Sequence, residues 1–457
     1  MSDESPTRAL VDFVVNTKFE DLPQGVIRAS KRCFLDWVGV TVGGMKDPSV
    51  KILLDFIKET GGEAQASIMG YRIKTSVLHA ALVNGTMAHA LDFDDAHMGT
   101  RNHPSAPLIA SLLALGEYKR SPGSQVLTAF VLGFEVATRM GLALGHGYYD
   151  GGWHATPVLG RFGVAAGVGK LLGLDGEKLS HAFGLAATQA GGLRISFGTM
   201  GKPFNSGKAG VDGALSAMLA ERGFTACKEI FDESSGFGRM FSPQYDPNKM
   251  IRGLGKRYHL SEVSFKPYAA CLAIHPMISG LISIRKEQSL DPESIEYINL
   301  RVAPICLSLG GNPNPRNGTE GKFSAYYCAA LAVAKGRVGE NLFTDELVHD
   351  PGMRDLMRRT RIRDRKSLEE SEAFVEVALK NGSRFETHVT APKGDPRNPL
   401  SLTEIVEKAK DLTRFLLPES RIEGAIALIR DLEKLENVGE LVNLCCGVEP
   451  REPIAPA

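Results

Sequence analysis

The stretch from position 89 to position 103 concentrates three acidic residues and three histidines in fifteen positions. It reads His89-Ala-Leu-Asp-Phe-Asp-Asp-Ala-His and continues through Arg101 to His103-Pro-Ser. Imidazoles titrate near neutral pH and carboxylates are anionic there, so these residue types together can transfer protons. Carboxylates at the end of a helix oppose the helix dipole, so helix propensity does not explain the acids. Their density therefore indicates a catalytic cluster.

Three other interpretations of this stretch remain open. In one, Ser105 caps the next helix and the acids are solvated or pair with Arg101. In another, Asp-x-Asp-Asp is the acid motif of helical terpene cyclases, but those cavities are rich in aromatic residues and this chain has only two Trp. The third is a divalent cation held by the acids around Asp92. We predict no metal site, because the other familiar metal-binding spacings are absent from the sequence.

A second polar segment, residues 198–208, contains three glycines, Lys202 and Lys208. Five residues rather than four separate Gly201 from Gly207, and Ala209 stands where a phosphate-binding loop has Ser or Thr, so nucleotide binding is not expected. The composition instead predicts a Gly-rich loop that brings lysines and backbone amides to the start of a helix, which is a general anion site. An ordinary surface loop is the alternative.

Two further segments carry reactive residue types. Gly-Gly-Trp153-His154 stands just before a helix that Pro157 can start, and its histidine can equally be a packed or capping residue. The segment 265–276 places Lys266, Cys271 and His275 at the entrance to a region of different character. A cysteine in such a position is more often a small buried apolar residue than a nucleophile.

These segments are carried mainly by helices. From about position 7 to 240 apolar residues recur at helical spacing between short loops. The predicted helices are about 26–42, 77–91, 106–118, 126–144, 157–172, 178–190 and 209–222. Strand alternation then appears at 294–302, and the segments 374–379 and 385–389 flank Asn381-Gly382 as in a β-hairpin. Helical periodicity returns at 402–435, so the pattern predicts an α+β domain inserted into a helical one.

Composition restricts the partners. The chain has 457 residues, with 53 basic and 53 acidic side chains, so no net charge favours nucleic acid or an anionic membrane. No apolar run approaches the roughly 20 residues of a membrane span and no signal sequence begins the chain, which predicts a cytoplasmic protein without a membrane partner. The seven cysteines are scattered, which argues against structural zinc, a disulfide framework and an iron–sulfur cofactor.

Taken together, five segments resemble the MmgE/PrpD family, which includes 2-methylcitrate dehydratase, cis-aconitate decarboxylase and iminodisuccinate epimerase. The resemblance spans nearly the whole chain. Its most specific parts are the run from Asn84-Gly to His103-Pro-Ser, Gly152-Trp-His, Gly198-Thr-Met-Gly-Lys-Pro, Lys266-Pro-Tyr and Lys393-Gly-Asp-Pro-Arg-Asn-Pro.

This resemblance implies a mainly α fold with a large all-helical domain, residues 1–260 and 398–457, and a smaller α+β lid, residues 261–397. It also implies a homodimer, no cofactor and a small-molecule carboxylate as substrate. By similarity to the decarboxylase, the site is expected to contain Asp92, His103, His154, Lys202, Lys266 and Tyr327. Cys271 stands where the decarboxylase has a histidine, and His275 follows it. Ala96 replaces a threonine, and the loop to His103 is one residue longer.

These departures favour a 2-methylcitrate dehydratase-like hydro-lyase acting on a di- or tricarboxylic acid. A decarboxylase, an epimerase or other isomerase, and a carboxylate-binding relative without activity are the alternatives. In the predicted mechanism His103 and His154 exchange protons with the substrate, and Asp92 orients a histidine or joins the transfer. Tyr327 donates a hydrogen bond to developing charge. Lys202 and Lys266, with Cys271 and His275, bind the substrate.

Overall fold

The computed structural model describes residues 5–232 and 234–447. It is mainly helical, and the chain divides into two compact units. The first unit comprises Met1–Val263 and Leu402–Ala457, and the second comprises Ser264–Ser401. The boundaries expected from the sequence followed positions 260 and 397.

The amino-terminal part of the first unit contains twelve α-helices among its described residues. They are α1 Pro6–Asn16, α2 Gln24–Gly43, α3 Pro48–Thr60, α4 Val77–Ala90, α5 Ser105–Lys119, α6 Gly123–Leu144, α7 Gly147–Asp150, α8 Ala155–Leu172, α9 Gly176–Thr188, α10 Gly201–Glu221, α11 Phe237–Phe241 and α12 Asn248–Ile251. Two short antiparallel strands, β1 Ala66–Ser67 and β2 Lys74–Thr75, also lie here. The expectation of an all-helical domain is therefore wrong in this detail, since two-residue strands are too short to show alternation.

Glycines let the helices that carry the polar cluster approach closely. Helices α4 and α10 meet at Gly85 and Gly207, where a Cβ on Gly207 would lie 2.2 Å from the carbonyl oxygen of Leu82. Any larger residue there would force the helices apart. His89 follows Gly85 by one turn of α4, and Lys202 precedes Gly207 on α10. The glycine contact therefore brings the two polar side chains together.

Helix α6 is the only helix among the described residues that is long and apolar enough to cross a membrane. Its most apolar stretch of 18 residues is 94% buried, as in the core helix of a globular protein. The sequence-based statement that no run approaches a membrane span is wrong for this helix. Its buried Glu135 and Arg139 pair with each other at 3.1 Å.

The second unit packs helices on a mixed sheet. Its helices are α13 His275–Gln288, α14 Pro304–Gly310, α15 Gly318–Gly321, α16 Ala325–Lys335, α17 Asp345–Val348 and α18 Pro351–Arg359. Its strands are β3 Ile295–Val302, β4 Thr360–Asp364, β5 Ala373–Leu379 and β6 Arg384–Val389, in the order β4-β3-β5-β6. Strand β4 is parallel to β3, and the other pairings are antiparallel.

The predicted hairpin is present, with Gly382 in its turn at a φ of 87°. The segment 360–364 was not predicted as a strand. Its sequence, Thr-Arg-Ile-Arg-Asp, is largely charged, and only its first residue is buried. The pattern therefore lacks the apolar residues by which a buried strand is recognised.

The carboxyl-terminal segment forms α19 Leu402–Thr413, α20 Glu419–Arg430 and α21 Gly439–Leu444 and belongs to the first unit. Helix α19 packs against α2, where a Cβ on Gly39 would lie 2.7 Å from the backbone of Ala409. From α19 the Lys408 ammonium donates to Asp36 at 2.7 Å and to the carbonyl of Phe93 at 2.6 Å. The end of the chain thus supports the loop that carries the acids.

Candidate active site

The acid loop, residues 91–97, begins where α4 ends. Asp92 has a φ of 51°, in the left-handed region that Asp adopts more readily than most residues with a side chain. This conformation terminates the helix. The Asp92 carboxylate accepts a hydrogen bond from the Lys202 ammonium at 2.6 Å, and both side chains are about 6% exposed.

Asp94 lies between two imidazoles. Its Oδ2 is 2.9 Å from Nδ1 of His89 and 3.2 Å from Nδ1 of His103, and the His103 contact is an ion pair only when that ring is protonated. The two rings are edge-to-face, with centroids 4.6 Å apart. Asp94 and His89 are buried, whereas the His103 side chain is 13% exposed. Of this trio, His103 is therefore the ring that solvent or a small molecule reaches.

Lys202 joins the trio from α10. Its Nζ lies 3.0 Å from Nε2 of His89, and it also lies over the ring of Phe197 at 5.6 Å. Lys202 stands in the first turn of α10, so the prediction of a Gly-rich loop over 198–208 is wrong from Gly201 onward. The prediction failed because these glycines do not form a flexible turn. Gly207 instead lies within α10 and allows α10 to pack closely against α4.

His154 precedes α8 and closes the other side of the cluster. Its ring is stacked on that of His89, with centroids 5.9 Å apart, and it meets Phe197 edge-on at 4.9 Å. Nδ1 of His154 accepts a hydrogen bond from the Asn205 amide at 3.2 Å. An amide nitrogen only donates, so the proton of the neutral His154 ring is on Nε2.

Protonation states follow from the same contacts. Asp94 only accepts and Lys202 only donates, so His89 carries its proton on Nδ1 and presents a lone pair at Nε2. Burial lowers the pKa of His89 to about 4, although the Asp94 carboxylate opposes this change. Burial and the Lys202 charge hold the pKa of His154 well below its usual value. Burial would raise the pKa of Asp94, but His103 and His89 hold it well below its ordinary range.

The third acid of the loop behaves differently. Burial raises the pKa of Asp95 to about 8, and the Asp36 charge adds to the increase. Ser105 donates a hydrogen bond to Asp95 at 2.5 Å. The proposed capping role for Ser105 is wrong, because Ser105 is the first residue of α5 and its hydroxyl binds Asp95 instead. Adjacent carboxyls in one loop therefore have opposite protonation states at neutral pH.

Four of the predicted site residues, namely Asp92, His103, His154 and Lys202, lie together in the first unit. The other four lie in the second unit. There the Tyr327 hydroxyl donates to the carbonyl of Leu342 at 2.7 Å within the apolar core. That bond uses the hydroxyl proton, so the predicted hydrogen bond from Tyr327 to a substrate has no support from this arrangement and stays a prediction.

The remaining predicted residues of the second unit are also buried. His275 donates from Nε2 to the carbonyl of Ala270 at 3.1 Å, and the Cys271 amide donates to the carbonyl of Lys322 at 2.9 Å. Lys266 is 1% exposed. Substrate-binding roles for these three residues stay predictions.

Three residues of the cluster were not predicted as site residues, namely His89, Asp94 and Asn205. His89 and Asp94 belong to the polar stretch that the sequence singled out, but their pairing depends on how the loop turns at Asp92. Asn205 lies one helical turn after Lys202 on α10. Because this segment was predicted as a loop, the helical spacing of the two residues was not recognised. A helical assignment of 201–221 would have placed Lys202 and Asn205 on the same face.

Metal ligation at this cluster is geometrically possible. His89, Asp94 and His103 have ligand atoms within 4.8 Å of one another. A divalent cation there would displace the Nδ1 protons of both rings and would lie close to the Lys202 ammonium. Proton transfer requires neither the loss of these protons nor a second cation beside Lys202, so the arrangement favours acid–base chemistry over metal binding.

Comparisons with known proteins agree with the residues already described. The MmgE/PrpD N-terminal domain matches residues 8–250, and the MmgE/PrpD C-terminal domain matches residues 268–434. A cis-aconitate decarboxylase-like protein of Aspergillus oryzae is 28% identical over 98% of this chain and 99% of its own length. Cis-aconitate decarboxylase of Homo sapiens is 29% identical over 98% and 96%. The mitochondrial 2-methylcitrate dehydratase of Yarrowia lipolytica is 23% identical over 92% and 85%.

Proposed function

Because this chain belongs to the MmgE/PrpD family, we propose that it is a lyase that decarboxylates an unsaturated tricarboxylic acid of the cis-aconitate type. The decarboxylases are the more similar relatives, and they match the chain almost from end to end. The dehydratase is less similar. A decarboxylase is therefore better supported than the 2-methylcitrate dehydratase-like hydro-lyase that the sequence departures favoured.

The observation that carries the proposal is the buried network in which neutral His89 joins the Asp94 carboxylate to the Lys202 ammonium. Decarboxylation breaks the bond between carbon and the leaving carboxylate, and the electron pair moves into the remaining unsaturated carboxylate system. Carbon dioxide leaves, and one proton must then reach carbon. A site for this reaction needs a cation near the developing charge and an acid that faces the substrate.

His103 is the proton donor in this proposal. Its Nδ1 faces the Asp94 carboxylate, which stabilises the protonated ring, and its partly exposed edge is the accessible one. Asp94 is buried and anionic, so it holds the imidazolium in place without taking part in the transfer. After each turnover, water returns the proton to His103.

Lys202 and His154 serve the substrate anion. The Lys202 ammonium offsets the negative charge that develops after carbon dioxide leaves. His154 is neutral and carries its proton on Nε2, so it donates a hydrogen bond to a carboxylate and adds no net charge. Phe197 lies against both side chains and gives that part of the site an apolar wall.

The test is a proton-NMR assay of chelator-treated protein against cis-aconitate, 2-methylcitrate, citrate and iminodisuccinate. We expect cis-aconitate to be converted with loss of one carbon. His103→Ala should lower kcat by on the order of 10² to 10⁴. His388→Ala, at a partly exposed histidine of β6, is the matched control and should retain full activity.

Each other result has a defined meaning. Conversion of 2-methylcitrate to an unsaturated acid, with cis-aconitate untouched, would replace the decarboxylase by the dehydratase. Calorimetric binding of a tricarboxylate without turnover would indicate the non-catalytic relative. A fall in kcat of less than threefold in folded His103→Ala would remove His103 from the mechanism.

A further inference from the structure

A second histidine-containing cluster lies in the first unit, outside the network described above. His97 ends the acid loop, and His259 and Glu262 stand four and one residues before the boundary at Val263. The geometry points to a divalent metal site of the zinc class, with His97, His259 and Glu262 as its three protein ligands. This inference does not depend on the proposed reaction.

The spacing of the ligand atoms suits a small cation. Oε2 of Glu262 lies 3.2 Å from Nδ1 of His259 and 3.5 Å from Nε2 of His97, and all three atoms lie within 4.8 Å of one another. In a tetrahedral zinc site with bonds of about 2.0–2.1 Å, neighbouring ligand atoms are about 3.4 Å apart. Two nitrogens and one carboxylate oxygen are also a ligand set that zinc accepts, with a fourth position left open.

The protonation of His97 favours a cation between the rings. The Thr100 hydroxyl donates its proton to Oδ1 of Asn102 at 2.8 Å, so it accepts from Nδ1 of His97 at 3.0 Å. The Nε2 lone pair of a neutral His97 therefore faces the Glu262 carboxylate. His97 is only 1% exposed, and its Nε2 has no hydrogen-bond partner of good geometry. A lone pair directed at an anion is unfavourable unless a cation lies between them.

The surroundings have the features of an outer shell. The Thr100 contact fixes the orientation of the His97 ring, as the partner of a ligating histidine usually does. Arg257 binds the other oxygen of Glu262 at 2.7 Å, which leaves Oε2 for the histidines. The Leu260 amide donates to the buried Glu135 of α6 at 3.0 Å, so the segment between the two carboxyl-terminal ligands is anchored.

Access to the cluster is also present. The two histidines are buried, but the Glu262 side chain is 37% exposed, so an ion from solvent can reach the carboxylate side. A bound ion would connect the loop that leads to His103 with the segment that ends the first part of this unit. Sequence reasoning missed the site because His97 and His259 are far apart in the chain.

The experiment is calorimetric titration of chelator-stripped, full-length protein with zinc chloride alone. We expect one zinc ion per chain at this cluster. Glu262→Gln should weaken zinc binding by at least about 100-fold, since the carboxylate is a direct ligand, and Thr100→Val by about 10- to 100-fold through the outer shell. Circular dichroism verifies that each variant is folded.

Two variants separate this cluster from the catalytic one. His97→Ala should abolish zinc binding, whereas His103→Ala should retain it, because His103 belongs only to the trio around Asp94. With cobalt in place of zinc, the wild type should show the strong visible absorption of a tetrahedral site, and Glu262→Gln should not. Absence of zinc binding, binding unchanged in Glu262→Gln, or binding lost in His103→Ala would each overturn the inference.

Discussion

The ammonium of Lys202 and the imidazole of His89 meet at 3.0 Å, with the nitrogen of His89 as the acceptor. On its other side, His89 donates to Asp94 at 2.9 Å. A single neutral ring therefore connects a buried cation to a buried anion, since Lys202 is 5% exposed and Asp94 is 1% exposed. Burial, together with the nearby Lys202 charge, lowers the pKa of His89 to about 4 even though a carboxylate touches it.

Removal of that ring should disable the site. His89→Ala should lower kcat by on the order of 10² or more, because Asp94 and Lys202 lose their common partner and His103 loses a neighbouring ring. Steady-state kinetics on the substrate identified by NMR is the measurement. His79→Ala, on the same helix and partly exposed, is the control. Unchanged kcat in a folded His89→Ala protein would show that the network is only structural.

Lys202 and Asp92 should depend on each other for stability. Lys202→Met leaves a buried carboxylate without its cation, so unfolding should become easier by about 3–5 kcal/mol. Lys208→Met, at a half-exposed lysine on the same helix, should cost about 0–1 kcal/mol, because its buried partner Asp212 keeps Arg161 as a cation. The two tryptophans, Trp37 and Trp153, both belong to the first unit, so their fluorescence in urea reports its unfolding.

The double variant provides the decisive comparison for this pair. Asp92→Asn with Lys202→Met removes both charges and should recover part of the lost stability. If the two single losses simply add, the ion pair is not the source of the effect.

The sequence predicted most of the fold because its periodic segments are long. Six helices of the first unit and three strands of the second were predicted within a few residues, and the seventh predicted helix begins eight residues too late. The failures have physical reasons. Gly201 to Gly207 have the composition of a loop, yet here glycine permits helix α10 to approach α4, which only the three-dimensional packing reveals. Strands β1 and β2 are too short for alternation, and β4 is mostly charged.

For the candidate site, residue types were more informative than roles. The stretch 89–103 was identified by its density of acids and imidazoles. The individual roles and protonation states of these residues were not predicted, because they depend on burial and on partners distant in sequence, such as Lys202 and Lys408. The contrast between Asp94 and Asp95, which are adjacent in sequence, is the clearest example: their pKa values move in opposite directions.

Lys408 should position the acid loop from the far end of the chain. It binds Asp36 and the carbonyl of Phe93, and its ammonium lies 4.0 Å from the centroid of the Phe93 ring. Lys408→Met should therefore lower both stability and kcat, since Asp36 is left buried without a cation. Lys410→Met, whose pairing with Glu423 is exposed, should change neither. Equal behaviour of the two variants in kinetics and urea unfolding would refute this role.

Asp95 should make the stability of the first unit depend on pH in a distinctive direction. Its pKa is about 8 when folded and about 3.8 when unfolded, so between these values unfolding releases a proton. The contribution of Asp95 to stability is therefore lost progressively as pH rises from about 4 to 8, by up to about 1.4 kcal/mol per pH unit, and is constant above that range. Asp95→Asn has no such proton, so its stability relative to the wild type should increase with pH.

Urea unfolding followed by tryptophan fluorescence at pH 5.5 and 7.5 measures this difference for the two proteins. The comparison with wild type at each pH cancels the titration of the other buried groups, including His89 and Glu135. Asp55→Asn, at an exposed position of α3, is the control and should change by the same small amount at both pH values. If Asp95→Asn also differs from wild type by a constant amount, Asp95 is ionised in the folded protein and the assignment of a neutral carboxyl beside Ser105 is wrong.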